Sequence, residues 1–190
     1  NISKVITPEE YWGEFAHIQY HMDEPLADPA AIALFFVSRL ASKYVKVVMS
    51  GEGADELFGG YRIYQEPITL TAYDKIPFPI RRVIGKICSV LPQKHGINYL
   101  VRRGKTIEER FIGNANIFSV KERNKILNSE KAKSAPAPQV LCDKFYSEVK
   151  DKDDITKMQY LDINMWLMGD ILLKADKASM ANSLELRVPF

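Results

Sequence analysis

"VKVVMSGEGADELFGGY", residues Val45–Tyr61, runs from a short apolar, mostly β-branched stretch into a segment with four glycines and three acids. Val45, Val47, Val48 and Met49, broken only by Lys46, have the pattern of a strand buried on both faces of a parallel sheet. Helix, strand, glycine loop and helix in succession make half of a βαβ arrangement. In open parallel sheets ligands bind beyond the carboxyl ends of strands. Glycines there let a ligand reach backbone N–H groups that the next helix leaves unpaired. A Gly-x-Gly by itself serves ordinary turns equally well.

The acids add information. Glu52, Asp55 and Glu56 fall within five residues at the start of a predicted helix. Some of that charge complements the helix dipole, but three acids exceed the need. Carboxylates beside a phosphate site hold Mg²⁺, which takes hard oxygen ligands, and a carboxylate with a raised pKa serves as a base. Asp55 and Glu56 are adjacent and so lie on different helix faces, while Glu52 precedes the helix. This divides them into Asp55 for metal, Glu52 for the reacting centre and Glu56 for structure.

Upstream, "TPEEYWGEFAHIQYHM" opens a helix with Thr7 as N-cap, Pro8 at the first position and Glu10 completing a capping box. "DEPLADPAAIALFFVSRLASKY" repeats the device with Asp28 and Pro29, predicting a helix from about Pro29 to Lys43. Its apolar residues cover nearly the whole circumference, as burial against a sheet requires.

Downstream the signal weakens and then returns. "IPFPIRRVIGKICSVLP" predicts a helix between prolines and "TIEERFIGNANIF" another, while "NSEKAKSAPAPQV" (Asn128 to Val140) reads as a surface connection. In "DKDDITKMQYLDINMWLMGDILLKADKASMANSLELRVPF", Asp153 and Asp154 are cap candidates for a buried helix that is broken or re-aimed near Gly169. Asp170, Lys174 and Asp176 recur at spacings of four and six. Asp170 and Lys174 therefore share one face, and an ion pair and a substrate contact both stay open for them. Glu185 and Arg187 flank Leu186 and are expected on opposite sides, orienting the terminal segment. Trp12 and Trp166 are expected in the core, and His17, His21 and His95 have no metal-ligand spacing.

Composition narrows the classes. The chain of 190 residues is read as a single domain, with 46% hydrophobic and 26% charged residues, values ordinary for a soluble globular protein. A net charge of +2 is too small for the long-range field of a nucleic-acid or membrane-surface binder. Cys88 and Cys142 offer no disulfide framework or zinc spacing. With no apolar run of membrane-spanning length and no signal segment, a cytoplasmic protein is expected.

"VKVVMSGEGADELFGGY" together with "DILLKADKASMANSLELRVPF" resembles the synthetase domain of glutamine-hydrolysing asparagine synthetases, and "DEPLADPAAIALFFVSRLASKYVK" resembles the same family. The resemblance implies a nucleotide α-hydrolase-like parallel sheet with helices on both faces in the parent, of which this stretch is a mostly helical part with one or a few short parallel strands. It implies an enzyme in which ATP activates aspartate as an aspartyl adenylate, with pyrophosphate released, and ammonia from glutamine attacks the activated carbonyl. Carried over by position, Ser50, Gly51 and Gly53 would bind ATP, Asp55 would hold Mg²⁺ and Glu52 would act as base. Asp170, Lys174 and Asp176 would contribute to the substrate pocket. Lactam-forming relatives carry tyrosine where this chain has Glu52, which favours amidation by ammonia. Amidation of another carboxylate, or a non-catalytic domain that keeps the fold, stays open as an alternative.

The resemblance also implies parts that this stretch lacks: the Ser-Gly-Gly-x-Asp-Ser loop, a later Arg-x-Lys segment and the glutaminase domain. Together with the abrupt end at "LRVPF", this leads to the expectation of an internal piece that is inactive alone. It is also expected to expose apolar surface and to self-associate, with a homodimer as one form.

Overall fold

Thr7 starts the first helix in the computed structural model, which describes residues 1–26, 28–69, 71–92, 94–114, 116–118, 120–127, 130 and 135–189. In chain order the elements are α1 (Pro8–His21), α2 (Ala30–Ala41), β1 (Val47–Met49), α3 (Ala54–Phe58), α4 (Phe78–Cys88), α5 (His95–Arg103), α6 (Ile107–Arg110), α7 (Val120–Ile126), α8 (Pro138–Glu148), α9 (Asp154–Asp162), a π-helix (Ile163–Ile171), α10 (Leu172–Met180) and β2 (Glu185–Arg187). Short 3₁₀ turns occupy Arg62–Gln65 and Ala72–Lys75. The described chain is mostly helical, with one short parallel strand pair. Two compact units emerge: Asn1–Asp55 with the chain from Leu167 onward, and Glu56–Trp166.

In the first unit the expected capping box is present. Thr7 Oγ1 accepts from the Glu10 amide at 3.3 Å, and Glu10 Oε2 accepts from the Thr7 amide at 3.1 Å. Asp28 Oδ1 accepts from the Ala30 amide at 2.9 Å and so caps α2, which stops at Ala41 rather than Lys43. Ile32, Phe35 and Phe36 of α2 pack with Ile18 and Met22 of the α1 end and with Ala178 of α10. Each large side chain buried there stabilises by about 1.5 to 3 kcal/mol. Trp12, expected in the core, is instead exposed on the outer face of α1 beside Tyr11 and Phe15.

β1 and β2 pair in parallel with Val47 opposite Glu185, Val48 opposite Leu186 and Met49 opposite Arg187. The ladder continues from the Glu185 amide to Lys46 O (2.9 Å) and from the Ser50 amide to Arg187 O (2.8 Å). Burial on both faces, expected for β1, does not occur: Met49 is 66% exposed and only Val48 is half-buried. Two strands of three residues supply each other one neighbour, and among the described residues no further strand joins them. Glu185 and Arg187 lie on the same side, with Arg187 Nε donating to Glu185 Oε1 at 2.8 Å. This corrects the expected opposition, since residues two apart in a strand share a face.

In the second unit Tyr64, Ile107, Phe111, Cys142, Tyr146, Met158 and Leu161 form the core. α4 packs on α5 so closely that a Cβ on Gly104 would stand 2.7 Å from the Arg81 carbonyl oxygen. "TIEERFIGNANIF" yields only the single turn α6. The chain is extended at Phe111, and Gly113, at φ +91, lets the Asp162 carboxylate approach to 3.3 Å from where a Cβ would sit. The expected connection 128–140 ends early because α8 begins at Pro138, and residues 128, 129 and 131–134 lie outside the described residues.

Asp153 caps α9, its Oδ1 accepting from the Ile155 and Thr156 amides at 3.0 and 3.1 Å. The long helix then widens into the π-helix that contains Gly169 before resuming as α10. That widening is the irregularity expected near Gly169. Trp166, within it, is half-buried, its indole N–H covered and without a partner among the described residues. Among the described residues no helix is long and apolar enough to cross a membrane.

Candidate active site

The strand β1 ends at Met49, and Ser50, still tied to Arg187 through its amide, begins the loop. Gly51 is exposed and Glu52 half-buried in the turn that follows. Gly53 is buried at φ +90, a conformation that disfavours side chains, so its glycine is explained by the turn itself. Gly51 is different. It has no positive φ, and a Cβ built on it meets nothing within 4 Å. Neither backbone conformation nor packing in the described chain demands a glycine there, which leaves room for a close approach from outside.

Glu52 and Asp55 make no side-chain hydrogen bond or ion pair with any described residue, and Asp55 is exposed. Glu56 behaves otherwise: it is 1% exposed, and its Oε1 accepts from the Tyr61 hydroxyl at 2.7 Å. Three neighbouring acids thus separate into two available carboxylates and one built into the interior. Among the described residues no three His, Cys, Asp or Glu side chains cluster as a metal cage. Asp55 as a lone protein ligand nevertheless suits Mg²⁺, which is held by one or two carboxylates and completes its shell with phosphate oxygens and water.

The second group of expected site residues also falls in the first unit. Lys174 does not pair with Asp170. Its Nζ donates to Asp28 Oδ2 at 2.5 Å, so the residue that caps α2 also anchors α10. Burial opposes it, but the hydrogen bonds from Lys174 and the Ala30 amide hold the Asp28 carboxyl below the usual carboxylate range. Asp170 Oδ2 is buried with no partner among the described residues. Burial pushes its carboxyl up against the pull of the Lys174 charge.

Asp170 and Lys174 line a small pocket of about 90 Å³ with Met22, Leu26, Leu173 and Lys177. Neither the loop Ser50 to Asp55 nor Asp176, which is exposed, contributes to its wall. Of the residues expected to act together, the structure brings Asp170 and Lys174 to one pocket, and Ser50, Gly51, Glu52, Gly53 and Asp55 to one strand-end loop. Asp28 was not anticipated as a member of the group, because its partner lies 146 positions away. Its role as a cap was the only visible signal.

A parallel strand ending in a glycine loop with carboxylates that have no partner among the described residues, paired through β2 with the segment after α10, is the kind of strand end at which α/β proteins bind ligands. The protein-family model described as asparagine synthase matches residues 1–190, and the chain belongs to the asparagine synthase family. It is 48% identical over its whole length to "Asparagine synthetase 1", glutamine-hydrolyzing, of Bacillus subtilis (strain 168), covering 30% of that protein. It is 47% identical, again over its whole length, to a "Putative asparagine synthetase", glutamine-hydrolyzing, of Mycobacterium bovis, covering 29% of it. A similarly named "Putative asparagine synthetase 2" of Methanocaldococcus jannaschii is 30% identical over 88% of the chain. The chain thus spans about 30% of the length of these curated relatives. No solved structure matches.

Proposed function

We propose that the protein carrying this chain amidates aspartate to asparagine at the expense of ATP, through an aspartyl adenylate attacked by ammonia derived from glutamine. The observation that carries this reading is the Ser50–Asp55 loop. Gly51 is a glycine that the chain itself does not need, at the carboxyl end of a parallel strand and beside two unpaired carboxylates. A nucleotide lying against the Ser50 and Gly51 backbone accounts for that glycine. Family membership and the names of the relatives support the same assignment.

Mg²⁺, when bound, neutralises charge on the leaving pyrophosphate, and Asp55 is the ligand this chain offers it. Glu52, held in the turn ahead of α3, takes the proton that the nitrogen must lose after ammonia adds to the activated carbonyl. Asp170 and Lys174 present a carboxyl and an ammonium in one pocket, groups suited to an amino-acid substrate. Two buried thiols without disulfides accord with a reducing, cytoplasmic setting.

The experiment uses the full-length protein and separates two steps. Glu52→Gln should lower asparagine formation from free ammonia by about 100 to 10,000-fold while pyrophosphate is still released in a first turnover. Asp55→Asn should suppress pyrophosphate release itself and raise the Mg²⁺ requirement. Asparagine formation by Glu52→Gln at the parental rate refutes the assignment of the base.

A further inference from the structure

The second unit contains a cleft of about 530 Å³ into which Arg81, Arg103, Lys105, Arg110 and Lys157 project against only three acids, Asp74, Glu108 and Asp154. Most of the available carboxylate oxygens are already engaged. Asp74 Oδ1 accepts from Arg81 Nη1 at 2.8 Å and lies 3.6 Å from Arg103 Nη1, while its Oδ2 accepts from the Thr71 amide and hydroxyl at 2.9 and 2.8 Å. Glu108 takes Lys157 at 2.7 Å. Glu66, which does not line the cleft, is shared between Arg110 and Arg102. Four arginines therefore converge on two carboxylates, Asp74 and Glu66.

What remains unmet is on the cation side. The side chains of Arg103 and Arg110 are 7% and 6% exposed. Arg103 Nη2 donates to the backbone carbonyls of Glu66 and Thr69 at 3.1 and 2.6 Å, while the Nε donors of Arg81, Arg103 and Arg110 are buried with no acceptor among the described residues. Nη2 of Arg81 and of Arg110 and the ammonium of the exposed Lys105 make no hydrogen bond with any described residue and, unlike those Nε atoms, are not buried. A guanidinium stays charged, so a cleft lined by three of them beside two lysines favours an anion that the open Nη groups and the Lys105 ammonium can reach. Phosphate fits best, because its oxygens match the planar fork two at a time. Phe78, with the Arg81 guanidinium 5.6 Å from its ring, gives the same cleft an apolar wall.

We propose that this cleft binds a small molecule bearing two or more phosphates, through residues none of which belongs to the Ser50–Asp55 loop. The lining carries five positive and three negative side chains, an excess that calls for at least a doubly charged ligand. Volume allows one of small-metabolite size. The cations are protein side chains, so binding does not depend on Mg²⁺ and stands or falls independently of the ATP assignment above.

The test is isothermal titration of the chain with pyrophosphate in EDTA, with ATP and citrate as parallel arms. Arg103 and Arg110 are too buried to alter safely, so the informative variant is exposed Lys105→Glu. Lys150→Glu, exposed and outside the cleft, carries the same charge change. Saturable 1:1 pyrophosphate binding is expected, weakened about tenfold or more by Lys105→Glu and less than about twofold by Lys150→Glu. Equal affinity for ATP identifies the phosphates alone as the ligand, and a tighter ATP complex adds the nucleoside against Phe78. Either result supports the site. No saturable binding, equal effects of the two lysine variants, or citrate matching pyrophosphate overturns it.

Discussion

Asp162 is the place where a single proton should be measurable in the stability of the protein. Its side chain is fully buried. It accepts from the Tyr64 hydroxyl at 2.6 Å and from the Asn114 amide and side chain at 3.0 and 2.9 Å. Burial outweighs those hydrogen bonds and, helped by the charge of Glu56, raises the carboxyl from 3.8 to about 6. A folded-state value above the unfolded one means that the native state binds the proton more tightly, so stability falls as pH rises from about 4 through about 6. The gap of about two pH units is worth roughly 3 kcal/mol, fully incurred above the folded-state value and absent below the unfolded one. Asp74, Glu108 and Asp153, all held below their usual range, act in the opposite direction and lose stability as pH falls. Comparison with Asp162→Asn cancels their contribution. The variant keeps the shape but puts an amide NH2 where Oδ2 stood, so the Asn114 side-chain amide loses its acceptor and the Tyr64 hydroxyl must turn from donor to acceptor, a pH-independent cost of about 1 to 3 kcal/mol. Urea unfolding of both proteins between pH 4 and 8 should show the parent gaining on the variant by about 2 to 3 kcal/mol toward the acid end. A difference that stays constant across that window refutes the buried-proton argument.

Other expectations follow from single contacts. Gly51→Ala should leave the thermal melting temperature unchanged or slightly raised, by the equivalent of about 0.4 to 1 kcal/mol, because no contact opposes the new methyl, while ATP binding by the full-length protein weakens. A lowered melting temperature counts against the reading of that glycine. Gly104→Ala should destabilise by about 1 to 3 kcal/mol in urea titration, since its Cβ would stand 2.7 Å from the Arg81 carbonyl oxygen and both partners are backbone. Lys174→Met should cost about 2 to 3 kcal/mol by the same measurement, reduced from the cost of breaking a fully buried pair because Asp28 is 25% exposed, and Lys174→Arg should recover part of it.

How far these features were visible in sequence depends on how local their causes are. The Thr7 capping box, the Asp28 cap and the Asp153 cap each involve groups two or three positions apart, and each was legible. The strand was legible as a strand, but the burial of Val47 and Met49 depends on neighbours across the sheet, and among the described residues β2 is the single neighbour. The π-helix left no sign beyond Gly169, because its apolar residues fit an ordinary buried helix equally well. Tyr64 and Asp162 meet across 98 positions and Asp28 and Lys174 across 146, distances over which spacing carries no information.

The acids show the same division most sharply. Glu52, Asp55, Glu56 and Asp162 are one chemical type; position in the loop sets Glu56 apart as structural, but nothing local marks Asp162. The fold gives Glu56 a tyrosine hydroxyl and almost no exposure, and Asp162 three donors and none. It gives Glu52 and Asp55 no partner among the described residues. A carboxylate buried against its hydrogen-bond donors is out of a substrate's reach, whereas one without a partner at the end of a strand is open to a metal or a proton. That contrast in partners, more than the number of acids in the motif, is the physical ground on which we propose Glu52 and Asp55 for the chemistry.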